Sequence, residues 1–263
     1  MTQGFVDLSM YVAPERINQA SAAWLQRILL LLDARGEAVG AQPLLQVWRS
    51  PQLLLSQTCG YPLMTALRGQ VRVVGQPRYR LPYVREGQHC SLLLVREDDP
   101  RQDLAAFFDS HGLVNGPDSN SGMNLLRHAL APLQREGRFF SQISHTGGHR
   151  NSMRALREGQ GDLAAIDSVT YGYLARDHSE EVEGLRILGQ TAWGPSLPYI
   201  TAGWRSAEEA EWIRRAMNQA LAELPAVAEA LAIDQVLPAA TTDYQVLLDY
   251  EDEAKRLGLV TLE

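Results

Sequence analysis

A short polar segment holding two serines, an asparagine and a glycine is the strongest candidate binding site in this 263-residue chain. Ser119-Asn120-Ser121-Gly122 follows an apolar run and precedes a helical pattern, so it is expected to begin a helix. The first N–H groups of a helix have no internal partner and lie at the positive end of its dipole. Together with the serine hydroxyls, and with Gly122 allowing close approach, they could hold a phosphate- or phosphonate-sized oxyanion. The alternative is an ordinary N-cap by serine or asparagine.

A second candidate lies in the glycine-containing turn at residues 144–149, again between a predicted strand and a predicted helix. His149, at the helix start, could donate to an anion or to a polar ligand tail, or could be an ordinary turn histidine. His145 and His149 could hold a metal only from one helical face, and the two glycines between them favour a turn. Cys59 and Cys90 add no zinc-site spacing. In a reducing compartment they are expected to be free thiols, and a disulfide between them is the alternative. The sequence therefore predicts no metal site.

Motifs for nucleotide and hydrolytic chemistry are absent from the sequence. The chain has no G-x-x-x-x-G-K-[ST] loop and no H-E-x-x-H pair. The serine nearest to a G-x-S-x-G elbow is Ser121, but Ser119 stands two residues before it, where that pattern needs glycine. We therefore expect neither a cofactor nor a hydrolase.

Three further candidates follow predicted strands, where the ligands of open α/β sheets bind. Tyr11 comes after the first strand and Tyr61 lies in a polar loop after a later one. Each tyrosine could hydrogen-bond to a ligand or stack on it, or could pack in the interior. Asp167 follows the strand Leu163–Ile166 and could accept from a ligand amine or hydroxyl. It could equally cap the helix that Ser168 opens.

Short apolar runs alternate with amphipathic stretches along the chain, which is typical of α/β layers. Ser91–Val95 is a nearly continuous apolar run and predicts a strand covered on both faces. Leu44–Trp48 is likewise predicted as a strand, and Gly36 as the end of the first helix. The tail is predicted to be helical over Ala207–Leu224 and Tyr244–Leu257.

The segment from Gln76 to Gln88 interrupts this pattern with prolines, tyrosines and arginines, and it is predicted to cross between two lobes. One lobe is expected from both ends of the chain, residues 1–86 and 191–263. The other lobe, residues 87–190, is expected to be inserted in the middle. Two crossings predict a hinge, so a ligand is expected to act by stabilising a closed state.

The net charge of −7 gives no general basic field for nucleic acid or for an anionic membrane. A small anion can still bind, because local backbone dipoles decide that. The longest apolar stretch, Trp24–Leu32, is too short to span a membrane and is broken by polar residues. We therefore expect no nucleic-acid partner and no membrane insertion.

The first seven residues lack the basic start, apolar run and small-residue cleavage site of a secretion signal. The protein is expected in the periplasm if a leader has been removed, and in the cytoplasm if Met1 is the native start.

Taken as an ordered set, four segments resemble the phosphonate/phosphate-binding family of ABC-transporter substrate-binding proteins. They are Leu55–Pro62, Ser119–Gly122, Gly148-His149 and Gly161–Asp167. The resemblance implies an α/β, two-lobed periplasmic-binding-protein-like fold (type 2). Each lobe would be a mixed or parallel sheet flanked by helices, with the ligand cleft between the lobes.

The same resemblance implies a role for each candidate. The turn at 119–122 would hold the oxyanion, although Asn120 stands where the family usually has a small hydroxyl residue. His149 and Tyr61 would support it, and Asp167 would face the organic part of the ligand. The implied function is a binding protein, not an enzyme, that clamps phosphonate, phosphate or a phosphite-like ion. An ABC permease is the implied partner.

Two other functions fit the same fold, since fold alone does not decide function. One is an enzyme that uses His149 and Asp167, because an imidazole with a near-neutral pKa is a usable base. The other is a cytosolic sensor that reports a small ligand to a partner.

Overall fold

The computed structural model describes residues 2–11, 14–38 and 43–262, which form two compact units. The first unit comprises Met1–Leu81, Arg85–Gln88 and Pro195–Tyr244. The second unit comprises Pro82–Val84, His89–Gly194 and Gln245–Glu263. Among the described residues, no helix is both long enough and apolar enough to cross a membrane.

The strands of the described ranges alternate with helices in most of the chain. In chain order they are β1 (Thr2–Asp7), β2 (Ala34–Ala38), β3 (Leu53–Gln57), β4 (Val71–Tyr79), β5 (Val84–Arg85), β6 (Gln88–His89), β7 (Ser91–Arg96), β8 (His111–Val114), β9 (Gln142–His145), β10 (Leu163–Asp167), β11 (Leu185–Gln190), β12 (Gly194–Pro195), β13 (Tyr199–Ala202) and β14 (Ile233–Leu237).

The α-helices of the same ranges are α1 (Glu15–Leu31), α2 (Leu44–Trp48), α3 (Gly60–Met64), α4 (Leu125–Leu130), α5 (His149–Arg157), α6 (Ser168–Asp177), α7 (Ala207–Glu223), α8 (Pro225–Leu231) and α9 (Gln245–Arg256). A π-helical turn, Asn120–Asn124, leads directly into α4. Short 3-10 segments occur at Leu104–Phe107, Ala131–Leu133, Ser179–Glu181 and Thr241–Tyr244.

The first unit is built on a six-stranded sheet in the order β14-β4-β13-β3-β1-β2. β1 runs parallel to β2 and β3, whereas β13 runs antiparallel to β3 and β4. Helix α1 packs against α7 and α8, and the Trp24 indole N–H donates to the backbone oxygen of Met217 at 3.1 Å. The Trp24 ring also meets Tyr199 of β13 edge to face, with centroids 5.7 Å apart. This helical layer therefore closes the core on one face of the sheet.

The second unit is built on a five-stranded sheet in the order β11-β7-β10-β8-β9. β8 runs parallel to both β9 and β10, whereas β7 runs antiparallel to β10 and β11. Successive β7 residues enter different apolar clusters, Leu92 and Leu94 on one face and Leu93 and Val95 on the other. The strand is thus covered on both faces, as its continuous apolar run predicts.

The C-terminal helix belongs to the second unit, which differs from the sequence expectation that residues 191–263 all join the first lobe. Helix α9 packs against α4, and the Asn124 side-chain amide donates to the backbone oxygen of Leu247 at 2.9 Å. Ala254 and Leu259 are buried in the apolar cluster that also contains Leu93. Helical periodicity shows that α9 has a buried face, but it does not show which unit covers that face.

Two local expectations also differ from the structure, and one strand was not predicted. Leu44–Trp48 is helix α2, because a five-residue apolar run fits either element and the preceding Pro43 favours a helix start. Gly36 lies inside β2, since α1 already ends at Leu31. Ile233–Leu237 forms β14, which pairs with β4 although polar residues break its apolar alternation.

Candidate functional site

Three parallel strands of the second unit bring most of the predicted site together. Because β9 and β10 both run parallel to β8, the carboxyl ends of all three strands lie at one edge of the sheet. The turn at 119–122 follows β8, His149 follows β9, and Asp167 ends β10. The strand-end rule that selected these residues from the sequence therefore places them at a common edge.

The turn at 119–122 combines capping with helix initiation. The Ser119 hydroxyl oxygen accepts from the Gly122 N–H at 3.0 Å, so the N-cap expected as an alternative is present at Ser119. The Asn124 N–H donates to the Ser119 carbonyl oxygen at 3.0 Å, which makes the first turn π-helical. A serine oxygen that accepts from an amide keeps its own O–H as a donor.

Gly122 serves packing rather than the approach of a ligand from its α-carbon. A Cβ atom built there would lie 2.4 Å from Cγ of Asn115, which is a severe clash. The space that the glycine leaves is therefore filled by the chain itself. The glycine is thus required for packing against Asn115, and its contact with a ligand stays a prediction.

Ser121 and His149 are joined by a hydrogen bond of 2.9 Å between Oγ and Nε2. The other ring nitrogen of His149, Nδ1, accepts from the backbone N–H of Asp167 at 3.4 Å. A neutral imidazole has one donor and one acceptor nitrogen, and we assign the proton to Nε2, which then donates to Ser121, because Nδ1 faces the Asp167 backbone N–H. The Ser121 O–H is then left to donate to something else. Its carbonyl oxygen is held by the Ser91 hydroxyl at 2.7 Å.

The pKa of His149 supports this neutral form. Burial lowers the pKa of His149 below its ordinary value of 6.5. The nearby Asp167 and the backbone carbonyl of Ala165 oppose this shift, and the positive charge that His89 would carry adds to it. The ring is therefore uncharged near neutral pH and acts as a hydrogen-bond donor rather than as a cation.

We expect this lowered pKa to make the protein less stable in mild acid. Below pH 6.5 the unfolded chain takes up a proton on His149 that the folded chain binds less readily, so acidification favours unfolding. Urea titrations at about pH 7.5 and about pH 5.5 give the two free energies of unfolding. Their difference should be smaller in a His149→Gln variant than in the unaltered protein. An equal difference in both proteins would contradict the lowered pKa.

Asp167 caps helix α6 with one carboxyl oxygen and leaves the other for a different role. Its Oδ1 accepts from the N–H groups of Val169 and Thr170 at 2.9 and 3.0 Å. Its Oδ2 lies 3.3 Å from Nε2 of His89 but has no hydrogen-bond partner among the described residues. The capping role that the sequence left open for Asp167 is therefore present at Oδ1, and contact of Oδ2 with a ligand stays a prediction.

His89 is a candidate site residue that sequence reasoning missed. It ends the two-residue strand β6, two residues before β7, and is 1% exposed. Within the described ranges neither of its ring nitrogens has a hydrogen-bond partner. Because β7 runs antiparallel to β10, Ser91 at its amino end pairs with Asp167 at the carboxyl end of β10. The strand-end rule was applied to the carboxyl ends of predicted strands, and it missed His89 because β6 was not predicted and His89 otherwise lies next to the amino end of β7.

Asn120 offers a buried donor. The residue is 1% exposed, and its Oδ1 accepts from Nδ2 of Asn124 at 3.3 Å. Its own Nδ2 has no partner in the described part of the chain. A Cβ atom built on Gly194 would lie 4.0 Å from this Nδ2 atom. Gly194 therefore leaves space beside the nitrogen. Buried donors are almost always satisfied, and an unmade bond costs about 1–3 kcal/mol, so this nitrogen is expected to have a partner outside the chain, and its contact with a ligand stays a prediction.

The two predicted tyrosines lie in the first unit. Tyr11 follows β1 and meets Tyr79 edge to face, with ring centroids 6.1 Å apart. Tyr61 is in the short helix α3, and its carbonyl oxygen accepts from the Thr65 hydroxyl at 2.8 Å. Their roles as ligand contacts stay predictions.

The described residues contain no group of three histidine, cysteine or acidic side chains that could hold a metal ion. His145 ends β9 and His149 begins α5, so the two histidines are not on one helical face. Cys59 and Cys90 are both thiols.

Comparison with known proteins gives one family and one fold. A family model described as "ABC transporter, phosphonate, periplasmic substrate-binding protein" matches residues 25–244. Among curated proteins, none matches the chain.

Three solved structures illustrate the structural likeness. The binding protein component of an ABC phosphonate transporter from Pseudomonas aeruginosa is 15% identical, with a TM-score of 0.80 over 97% of this chain and 87% of that one. PhnD1 from Prochlorococcus marinus, in complex with methylphosphonate, is 11% identical, with a TM-score of 0.77 over 97% and 99%. A Xanthomonas citri protein bound to ATP is 16% identical, with a TM-score of 0.67 over 98% of both chains. These likenesses confirm the predicted fold class, the α/β two-lobed periplasmic-binding-protein fold.

Proposed function

The chain belongs to the family of periplasmic, phosphonate-binding substrate-binding proteins of ABC transporters, and we propose that its own ligand is a small phosphonate or a related phosphorus oxyanion. The second unit would supply the oxyanion site from the turn at 119–122 and from His149. The protein would act in the periplasm and deliver its ligand to an ABC permease.

The observation that carries this proposal is the set of donors at the turn. Ser121 keeps its O–H because His149 already donates to its oxygen. Asn120 presents an unpartnered Nδ2, and both groups lie in the first turn of a helix, next to the positive end of the dipole. A ligand with several unprotonated oxygens can accept from the Ser121 hydroxyl and from Asn120 Nδ2 at once.

The same tautomer favours binding over acyl transfer. A serine nucleophile needs a histidine whose Nε2 is free to accept the hydroxyl proton, with Nδ1–H held by a carboxyl group. Here Nδ1 accepts from the Asp167 backbone N–H, so Nε2 already carries the proton. This arrangement supports a binding protein rather than an enzyme built on Ser121, His149 and Asp167.

Asp167 Oδ2 and His89 would then meet the remainder of the ligand. An acceptor oxygen and an imidazole, both nearly fully buried, suit a polar substituent such as an amine or a hydroxyl. A phosphonate that carries such a group on carbon would use both parts of the site.

Thermal unfolding against a ligand panel tests the proposal. The panel is phosphate, phosphite, sulfate, methylphosphonate, 2-aminoethylphosphonate and ATP, the last because one structural match is bound to it. A ligand at about 100 times its dissociation constant stabilises the folded state by about 2.7 kcal/mol, which raises the unfolding midpoint measurably. We expect a shift with at least one phosphonate. A shift with ATP alone would move the assignment to nucleotides, and no shift across the panel would reject the oxyanion ligand.

A further inference from the structure

A buried chain of polar side chains runs away from the binding turn into the second unit. Asn120, Asn124 and Arg127 lie on successive turns of the helix that begins at 120, and each is at most 5% exposed. Asn124 Nδ2 donates to Asn120 Oδ1 at 3.3 Å, and Arg127 Nη2 donates to Asn124 Oδ1 at 2.8 Å. The three side chains therefore form one continuous hydrogen-bonded series.

The direction of every bond in this series follows from Arg127. A guanidinium group can only donate, so the Asn124 atom that faces it must be the carbonyl oxygen. Asn124 Nδ2 must then face the other way, towards Asn120, and the Asn120 atom that accepts from it must be Oδ1. The Nδ2 atom of Asn120 is left pointing away from the series as a donor. A reversed Asn120 amide would put two donor groups against each other.

Arg127 is itself held by the C-terminal segment. Its Nη1 donates to the carbonyl oxygen of Val260 at 3.0 Å, and its Nη2 lies 3.5 Å from a carboxyl oxygen of Glu251 in α9. Asn124 Nδ2 also donates to the carbonyl oxygen of Leu247 at the start of that helix. The C-terminal segment thus holds Arg127, which lies about two helical turns after Asn120.

We propose that Arg127 is a positioning residue for ligand binding, which through Asn124 holds the Asn120 carboxamide with its NH2 group towards the bound oxyanion. The inference rests on the proposed function and deepens it, because it adds a residue that does not touch the ligand. It also explains how an asparagine serves at this position of the turn. An amide that could rotate would present its oxygen half of the time and repel an anion.

A double-mutant cycle on the full chain separates positioning from general support of the fold. Binding of methylphosphonate is measured by calorimetry for the unaltered protein, Arg127→Lys, Asn120→Ala and the double variant. A lysine keeps the charge but not the planar fork. We expect Arg127→Lys to weaken binding about 10-fold when Asn120 is present, the cost of one hydrogen bond to a charged group. In the Asn120→Ala background, the same change should alter affinity by less than about 2-fold.

Two further variants provide a second test of the positioning role and a control for the loss of a buried arginine. Asn124→Asp keeps an acceptor for Arg127 but removes the donor to Asn120, so it should reproduce the same pattern even if Arg127→Lys folds poorly. Arg205→Lys changes an equally buried arginine of the first unit, 6% exposed, and should leave the affinity unchanged.

The results distinguish failure of the positioning role of Arg127 from failure of the proposed function. Equal losses in both backgrounds, or no loss for Arg127→Lys and Asn124→Asp, would overturn the positioning role and leave the proposed function standing. If the unaltered protein binds neither methylphosphonate nor any other oxyanion of the panel, the proposed function fails, and the positioning role fails with it.

Discussion

Replacing Ser121 by alanine is expected to weaken methylphosphonate binding about 10- to 100-fold, because a hydrogen bond to a charged group contributes about 1.5–3 kcal/mol. The expectation follows from the His149 tautomer, which leaves the Ser121 O–H as a donor for the ligand. Titration calorimetry at neutral pH measures the change. The substitution also removes the acceptor for the His149 Nε2–H, so the loss should lie towards the upper end of the range.

Ser206→Ala is the matched control for this experiment. Ser206 caps α7 in the first unit, where its hydroxyl oxygen accepts from the Glu209 N–H at 3.1 Å. Its loss should lower stability by about 1 kcal/mol without changing ligand affinity. If Ser121→Ala binds methylphosphonate as tightly as the unaltered protein does, the turn is not the oxyanion site.

Leu94→Ala is expected to lower the free energy of unfolding by about 2–5 kcal/mol, a large share of the stability of most proteins. Leu94 is 0% exposed at the middle of β7 and pairs with Ala164 on one side and Ile187 on the other. Neighbouring strands and helix α5 leave little freedom for collapse around the cavity. Urea unfolding followed by circular dichroism gives the value.

Leu30→Ala provides the comparison, since Leu30 on α1 is 71% exposed and its truncation should cost less than about 0.5 kcal/mol. Similar small losses for both variants would mean that β7 is not buried on both faces.

Much of the candidate site could be predicted from the sequence because its residues follow parallel strands. The turn at 119–122, His149 and Asp167 each come directly after an apolar run, and the carboxyl ends of parallel strands share an edge. The local sequence also offered both functions of Asp167, and the structure assigns the cap to Oδ1 and leaves Oδ2.

What could not be predicted depends on pairings between distant parts of the chain. His89 reaches the same edge because β7 is antiparallel to β10, and strand direction is not visible in an apolar run. The bond between Asn124 and Leu247 joins residues more than a hundred positions apart. Helical periodicity marks Asn124 and Arg127 as lying on one face of a helix, but it gives no reason to expect the tail as their partner.

The return of the chain to the second unit after Tyr244 has a consequence for its synthesis. A chain leaves the ribosome from its amino end, so residues 89–194 emerge long before α9 does. Until then, the apolar faces that Ala254 and Leu259 cover stay open, and Arg127 has no Val260 carbonyl to bind. The strands of the first unit are all synthesised before α9, the helix that completes the second unit. The second unit, which holds the proposed oxyanion site, is therefore completed last, and its apolar faces are the ones exposed for longest during synthesis.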